Sequence, residues 1–122
     1  MKGDGGENVI DVYYELDISL PDDVVGRGEE VKVYCNLTEN GNPLSGVEIT
    51  LFDVQEDEII GVNVTNSEGY TEFSYFYNET NVAGPHTIVA YCEYSRNETL
   101  LYLKGQSLIE LEKKDKAYWG DY

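Results

Sequence analysis

The sequence predicts an all-β fold, two packed sheets built from about seven antiparallel strands. Three observations carry this. First, apolar and polar residues alternate with period two: Val31, Val33, Cys35 and Leu37 against Lys32, Tyr34 and Asn36 is the clearest run. Second, turn-forming clusters separate the alternating runs, among them Asn40-Gly41-Asn42-Pro43 and Asn66-Ser67-Glu68-Gly69. Third, no window before residue 105 has the 3.6-residue period of an amphipathic helix.

Taken in order, strands are expected at 10–20, 30–38, 46–53, 58–65, 70–77, 86–94 and 98–104. Short strands at this spacing build a sandwich. The domain then occupies 10–104, behind an N-terminal extension at 1–9. Residues 105–122 are read as a loose tail, a short helix or the start of a following copy. Ser107 followed three residues later by Glu110 matches a helix capping box. Alternatively, "LEKKDKAYWGD" echoes the earlier "LPDDVVGRGEE", as though a following repeat begins there.

Composition narrows the partners. Aspartate and glutamate total 24 against 8 lysine and arginine, a formal net charge of −16. Such a surface repels phosphate backbones and anionic lipid, which argues against nucleic acid and against direct membrane insertion. Acidity does not mean disorder here, because 41% of residues are hydrophobic and 11 are tyrosine. No apolar run approaches the roughly 18 residues of a membrane span. The opening "MKGDGGENVI" lacks the apolar core of a signal peptide. Read literally that is a cytosolic start; read as a piece of a longer chain, the inference lapses.

Cys35 and Asn36 are neighbours, and adjacent strand residues point to opposite faces. Cys35 shares its face with Val31, Val33 and Leu37 and points inward, which sends Asn36 toward solvent. Cys92 shares an inward face with Ile88 and Ala90. A Cys35–Cys92 bridge between these two strands is the one expected of an immunoglobulin-type sandwich, and closing that loop is worth about 4 kcal/mol in the chain-entropy account. The alternative is two buried free thiols. Asn-X-Thr acceptors for N-linked glycans occur at Asn36, Asn63, Asn78 and Asn97, where nine asparagines and 13 serines and threonines predict about one by chance. Asn63 alternates with Val62 and Val64 and is expected to face solvent; Asn78 and Asn97 fall at or beside loops, so all four are expected to be usable. Sequons and cysteines together point to an exported, cell-surface chain.

"GRGEEVKVYCNLTENGNPLSGVEITLFD", then "NVTNSEGYTEFSY", then "AGPHTIVAYCEY" resembles the immunoglobulin-like repeats of prokaryotic cell-surface proteins and adhesins, of the invasin and intimin type. The resemblance covers about residues 16–104. It implies an immunoglobulin-like sandwich serving mostly as a spacer that carries other parts outward. Two departures stand out. His86 replaces the usual aromatic residue opening its strand, and no tryptophan lies on the strand at 46–53. Lys32 and Lys104 alternate to the outer face, so the covalent lysine–asparagine link of some related modules is not carried over.

Little points to catalysis. His86 is the only histidine and is expected to pack at the core edge; no G-x-S-x-G elbow or phosphate-binding glycine loop is present. No cofactor is expected. Calcium is the one metal whose oxygen ligands are supplied, by Asp53, Glu56, Asp57 and Glu58 or by Asp22 and Asp23, and a solvated acidic hairpin is the favoured account of them. The strands at 46–53, 86–94 and 98–104 are neighbours in this fold, which gathers Phe52, Val89, Tyr91, Leu100 and Tyr102 on an outer face. A contiguous apolar outer face marks a contact surface; a register slip of one residue, or cover by either chain end, are its alternatives.

The expected function is therefore a non-catalytic extracellular structural or adhesive module of a glycosylated protein. Its partners are neighbouring domains, copies of itself, or protein and glycan ligands. Two other classes remain: a filament or pilus subunit assembled by donor-strand addition through "NVIDVYYELDISL", and a carbohydrate-binding module using exposed tyrosines.

Overall fold

The computed structural model describes residues 11–105. Nine strands follow in order: β1 (Tyr14–Ser19), β2 (Val24–Val25), β3 (Glu30–Glu39), β4 (Asn42–Pro43), β5 (Glu48–Asp53), β6 (Glu58–Val64), β7 (Tyr70–Phe76), β8 (Gly84–Tyr91) and β9 (Arg96–Leu103). They form two packed sheets, an immunoglobulin-like sandwich. In the first sheet β3 is central, paired with β1 along one edge and β7 along the other, while β4 folds back on its end. The second runs β2–β9–β8–β5–β6. All pairings are antiparallel except β2 with β9, which is parallel.

The core comes from the alternation. Val31, Val33, Cys35 and Leu37 of β3, Ile49 and Leu51 of β5, Ile88 and Ala90 of β8, and Leu101 and Leu103 of β9 are all buried. Leu16 of β1 and Phe73 of β7 join the same cluster. Full burial of such side chains contributes about 1.5–3 kcal/mol each relative to exposure, which is what holds the sheets face to face.

The seven expected strands are all present, and two further strands of two residues each are too short to leave a periodic signal. One is β2. The chain turns at Pro21–Asp23, where Val24 N donates to Asp22 Oδ1, and crosses from the first sheet to the second. The other is β4, set by the turn at Asn40 and Gly41 with φ of 52° and 84°. Two positive φ values between paired strands define the type I′ hairpin that Asn-Gly favours. The extension at 1–9 and the tail from residue 106 onward, with its helix or next-repeat readings, lie outside the described residues.

One face assignment is corrected. β6 pairs with β5, and Ile49, which is fully buried, lies opposite Asn63. Val62 and Val64 therefore take the outer face, and Asn63 lies on the side turned toward the first sheet, where at the sheet edge it is exposed to solvent as expected. Alternation marks two faces of a strand without saying which is inside, and β6 is an edge strand whose apolar side is the outward one.

Gly69 opens β7 with φ of 74°. A Cβ there would lie 2.3 Å from the Leu37 carbonyl oxygen, because Leu37 N donates to Gly69 O and draws the two backbones together. The glycine of the "SEGY" turn is thus required by close approach as well as by backbone angle.

Candidate functional site

The second sheet brings β5, β8 and β9 side by side, as the outer-face expectation required. Phe52 pairs directly with Val89, Thr50 with Tyr91, Thr87 with Leu100, and Pro85 with Tyr102. All five expected residues therefore share one face, in register. Leu100 is 62% exposed, and Tyr91 and Tyr102 are also exposed. Val89 differs: it is only 5% exposed, although it points away from the core. It stands opposite Phe52 on one side and Glu98 on the other, so neighbouring side chains shield it.

The face is wider than the sequence suggested. Ile59 lies opposite Phe52, and Val62 lies opposite Thr50, so β6 extends the same surface. Ile59, Val62 and Val64 are each slightly more than half exposed. At the opposite edge Val24 of β2 pairs with Tyr102 and is exposed too. The signal for the β6 half was the aliphatic run Ile59, Val62, Val64. A register shift at Leu51/Phe52 breaks its simple period, because the bulge inserts one extra residue. Charge on this face gathers toward one end: Glu48 opposite Val64, Glu93 near Glu48 and Tyr91, and Glu98, 3.5 Å from the Arg96 guanidinium.

Behind the face, a buried polar cluster sits at one end of the core. Asp53 shares the inner face of β5 with Ile49 and Leu51, and His86 shares that of β8 with Ile88. His86 Nδ1 lies 2.8 Å from Asp53 Oδ2, and Nε2 lies 2.5 Å from the Val82 carbonyl oxygen. Both ring nitrogens thus stand within hydrogen-bond distance of an oxygen, one a carboxylate and the other a backbone carbonyl. Tyr77 Oη donates to Asp53 Oδ2 and Glu56 N to Asp53 Oδ1. Burial, and then the bond to Asp53, push the Tyr77 hydroxyl well above its ordinary range. Every partner is satisfied, and the groups fasten the β5–β6 turn to the loop before β8. This is positioning chemistry: none of these side chains is a free nucleophile. The histidine expected at the core edge is fully buried within it.

Arg27 does similar work from outside, donating to the carbonyls of Asn78, Asn81 and Lys104. Asp53 turns inward to His86, and among the described residues no group of three or more candidate ligands comes together.

Cys35 and Cys92 are free thiols in the structure, so the expected bridge is not formed there. Cys35 is buried and Cys92 packs against the same core cluster. Burial pushes the Cys35 thiol up to about 12. The four sequon asparagines are not equivalent. Asn63 Nδ2 donates to the Glu72 carbonyl and ties β6 to β7; Asn97 Nδ2 donates to the Leu16 carbonyl and ties β9 to β1. These two amides link the sheets at opposite sides of the sandwich. Asn36 Nδ2 reaches the Glu68 carbonyl at 3.3 Å. Asn78 lies in the loop after β7, where its Oδ1 accepts from Thr80 N and Oγ1.

No family model matches the chain, and no curated protein matches it. Among solved structures, the β-glucosidase from Listeria innocua is similar over 80% of this chain and 17% of its own, at 16% identity. Its complexes with glucose, gluconolactone and isofagomine give TM-scores of 0.48, 0.47 and 0.46. Scores and identities of this size support no statement about activity.

Proposed function

We propose that the chain is a non-catalytic extracellular module, a rigid spacer or adhesive domain of a glycosylated cell-surface protein. This is the role that its resemblance to the immunoglobulin-like repeats of prokaryotic surface proteins and adhesins implies. The observation that carries it is the outer face of the second sheet. Phe52, Ile59, Val62, Val64, Tyr91, Leu100 and Tyr102 form a flat apolar surface on a sandwich whose core is already complete without them. Contiguous apolar surface of that kind is retained where something packs on it. Four sequons and two cysteines lying against one core cluster support export, with the Cys35–Cys92 bridge forming in an oxidising compartment. No catalysis, cofactor, nucleic acid or inserted membrane segment belongs to this reading. The partners are adjoining domains or other surface molecules.

Intact mass of the protein from its native source, denatured and alkylated without reductant, tests this. Added glycan mass with no alkylated cysteine is expected. A bare mass with two alkylated cysteines overturns the extracellular assignment.

Exposed Tyr91 and Tyr102 favour a second reading, a carbohydrate-binding face. Glycan-array binding lost in Tyr91→Ala and Tyr102→Ala would support it, and a silent array would end it. Donor-strand assembly has less to recommend it, since all six residues of β1 pair with β3 of the same chain.

A further inference from the structure

We infer that Asn78 is the glycan acceptor this fold presents, and that the first sugar on it lies in a cleft beside Phe76, while Asn36, Asn63 and Asn97 serve the sandwich. This rests on reading the chain as a glycosylated module and names which of its sequons takes the sugar.

The four amide nitrogens differ in what already holds them. Asn63 Nδ2 donates to the Glu72 carbonyl at 2.9 Å, Asn97 Nδ2 to the Leu16 carbonyl at 3.0 Å and Asn36 Nδ2 to the Glu68 carbonyl at 3.3 Å. These three asparagines lie within β6, β9 and β3. Asn78 stands in the loop after β7, and among the described residues nothing accepts from its Nδ2. Its Oδ1 is the engaged atom, accepting from Thr80 N at 2.9 Å and from Thr80 Oγ1 at 2.6 Å. The carboxamide is thereby oriented with its nitrogen left over.

The sequon threonines differ too, and a transferase must read asparagine and threonine together. Thr65 is buried, with its hydroxyl donating to the Leu44 carbonyl and accepting from Val47 N. Thr38 and Thr99 are half-buried in strands, whereas Asn78, Glu79 and Thr80 are all exposed. In the transfer, Nδ2 bonds to the anomeric carbon of a sugar carried on a diphosphate donor. The anomeric C–O bond breaks, its electron pair leaves with the diphosphate, and one Nδ2 proton passes to a base of the transferase. An amide already bonded to a carbonyl of the fold has to be drawn out of that contact first.

Phe76 precedes the acceptor by two residues, the spacing that sets two side chains on one side of an extended chain. Both line a cleft of about 250 Å³ between β6 and the end of β7, together with Glu58, Ile60, Tyr75 and Asn81. That is less than the roughly 300–1,000 Å³ of a pocket for a drug-sized ligand, and suits a single pyranose. The Phe76 ring is 61% exposed and offers its negative face to the C–H groups on one side of such a sugar. Glu58 and Asn81 supply hydrogen-bond partners for the hydroxyls. Arg27 donates to the carbonyls of Asn78 and Asn81 and so holds the loop in place. A sugar here covers part of the open edge where β6 and β7 end their sheets, an edge that otherwise invites pairing with another chain.

The folded, unglycosylated protein is treated with a soluble asparagine-directed glucosyltransferase and uridine diphosphate glucose. Mass spectrometry of proteolytic peptides then follows each sequon. Asn78 should be modified about ten-fold faster than the other three, which must first open locally, while short peptides carrying the four sequons should differ far less. Glucose on Asn78 should raise the melting temperature by a few degrees. Phe76→Ala changes an exposed residue outside the core cluster; it should keep the transfer rate and lose that gain. Equal rates at the four sequons of the folded chain, or a slower Asn78, overturn the choice of acceptor. A missing gain, or one that survives Phe76→Ala, overturns the place assigned to the sugar. A bare mass for the native protein ends the extracellular reading without altering these rates, and equal rates end the present inference with that reading intact.

Discussion

His86 Nδ1 lies 2.8 Å from Asp53 Oδ2, with both side chains almost wholly out of water and 33 residues apart in sequence. The pair joins β8 to β5 on the inner face of the sheet, and Tyr77 brings β7 of the opposite sheet to the same carboxylate. Removing one partner of this buried pair leaves the other polar group without its hydrogen bond. His86→Ala and Asp53→Ala should each cost about 1–3 kcal/mol for the buried group left unsatisfied. The double variant should cost clearly less than the sum, since the second substitution removes the stranded polar group. Urea denaturation of the four proteins of this cycle measures the coupling. Additive losses would mean that the two groups act independently.

This pair also shows where sequence reading stops. β3, β5, β8 and β9 were legible because every second residue enters one core, and Val31, Val33, Cys35 and Leu37 are all buried as that pattern requires. Asp53 and His86 occupy inward positions of the same alternation. They were read instead as an acidic hairpin and a core-edge histidine, since no local pattern records a partner on another strand. β6 was located but turned over, because an edge strand with an apolar outer side alternates like any other. The outer-face residues of β5, β8 and β9 were found for the complementary reason, that strand adjacency in this fold is regular enough to bring distant alternations together. Val89 was taken as surface because alternation reports direction, whereas its burial depends on the side chains beside it.

Alkaline pH should unfold the reduced protein more readily than its exposed groups alone would. Burial raises Cys35 from 9.0 to about 12 and Tyr75 from 10.0 to about 12, and Tyr77 moves the same way. In each case folding favours the protonated, neutral form. The stabilisation is therefore complete below pH 9 and is lost as pH rises toward 12. Melting temperature measured across that window should fall steadily. Cys35→Ala with Tyr75→Phe should flatten the decline, and an unchanged slope would count against burial as its cause.

Gly69→Ala should be among the most damaging single-methyl additions. The new Cβ would meet the Leu37 carbonyl oxygen, and the residue must also hold φ at 74°. The left-handed conformation alone costs about 1–2 kcal/mol, and separating the backbones weakens the bond from Leu37 N to Gly69 O. A loss of more than about 2 kcal/mol is expected in denaturant titration. Gly41→Ala is the control, since its Cβ meets nothing within 4 Å and only the backbone term remains.

Asn63 and Asn97 should matter to the fold in a way that Asn78 does not. Each donates from Nδ2 to a carbonyl of the opposite sheet, Glu72 and Leu16 respectively. Replacement by alanine should cost about 1 kcal/mol apiece, the net worth of one hydrogen bond. The two ties stand on opposite sides of the sandwich, so their losses should add. Asn78→Ala, in an exposed loop with no tie between sheets, should stay within about 0.5 kcal/mol. Chemical denaturation of the unglycosylated protein makes the comparison, and equal losses at all three positions would remove the distinction.

Val89 and Leu100 separate the structural part of the outer face from the part available to a partner. They share that face, one 5% and the other 62% exposed. Val89→Ala removes two methyl groups from a packed site and leaves a small void between Phe52 and Glu98. That should cost about 1.5–3 kcal/mol from lost transfer energy and cavity together. Leu100→Ala removes a largely exposed side chain and should cost less than about 0.5 kcal/mol. Stability curves of both variants decide this: equal costs at the two positions would mean that Leu100 is packed as tightly as Val89.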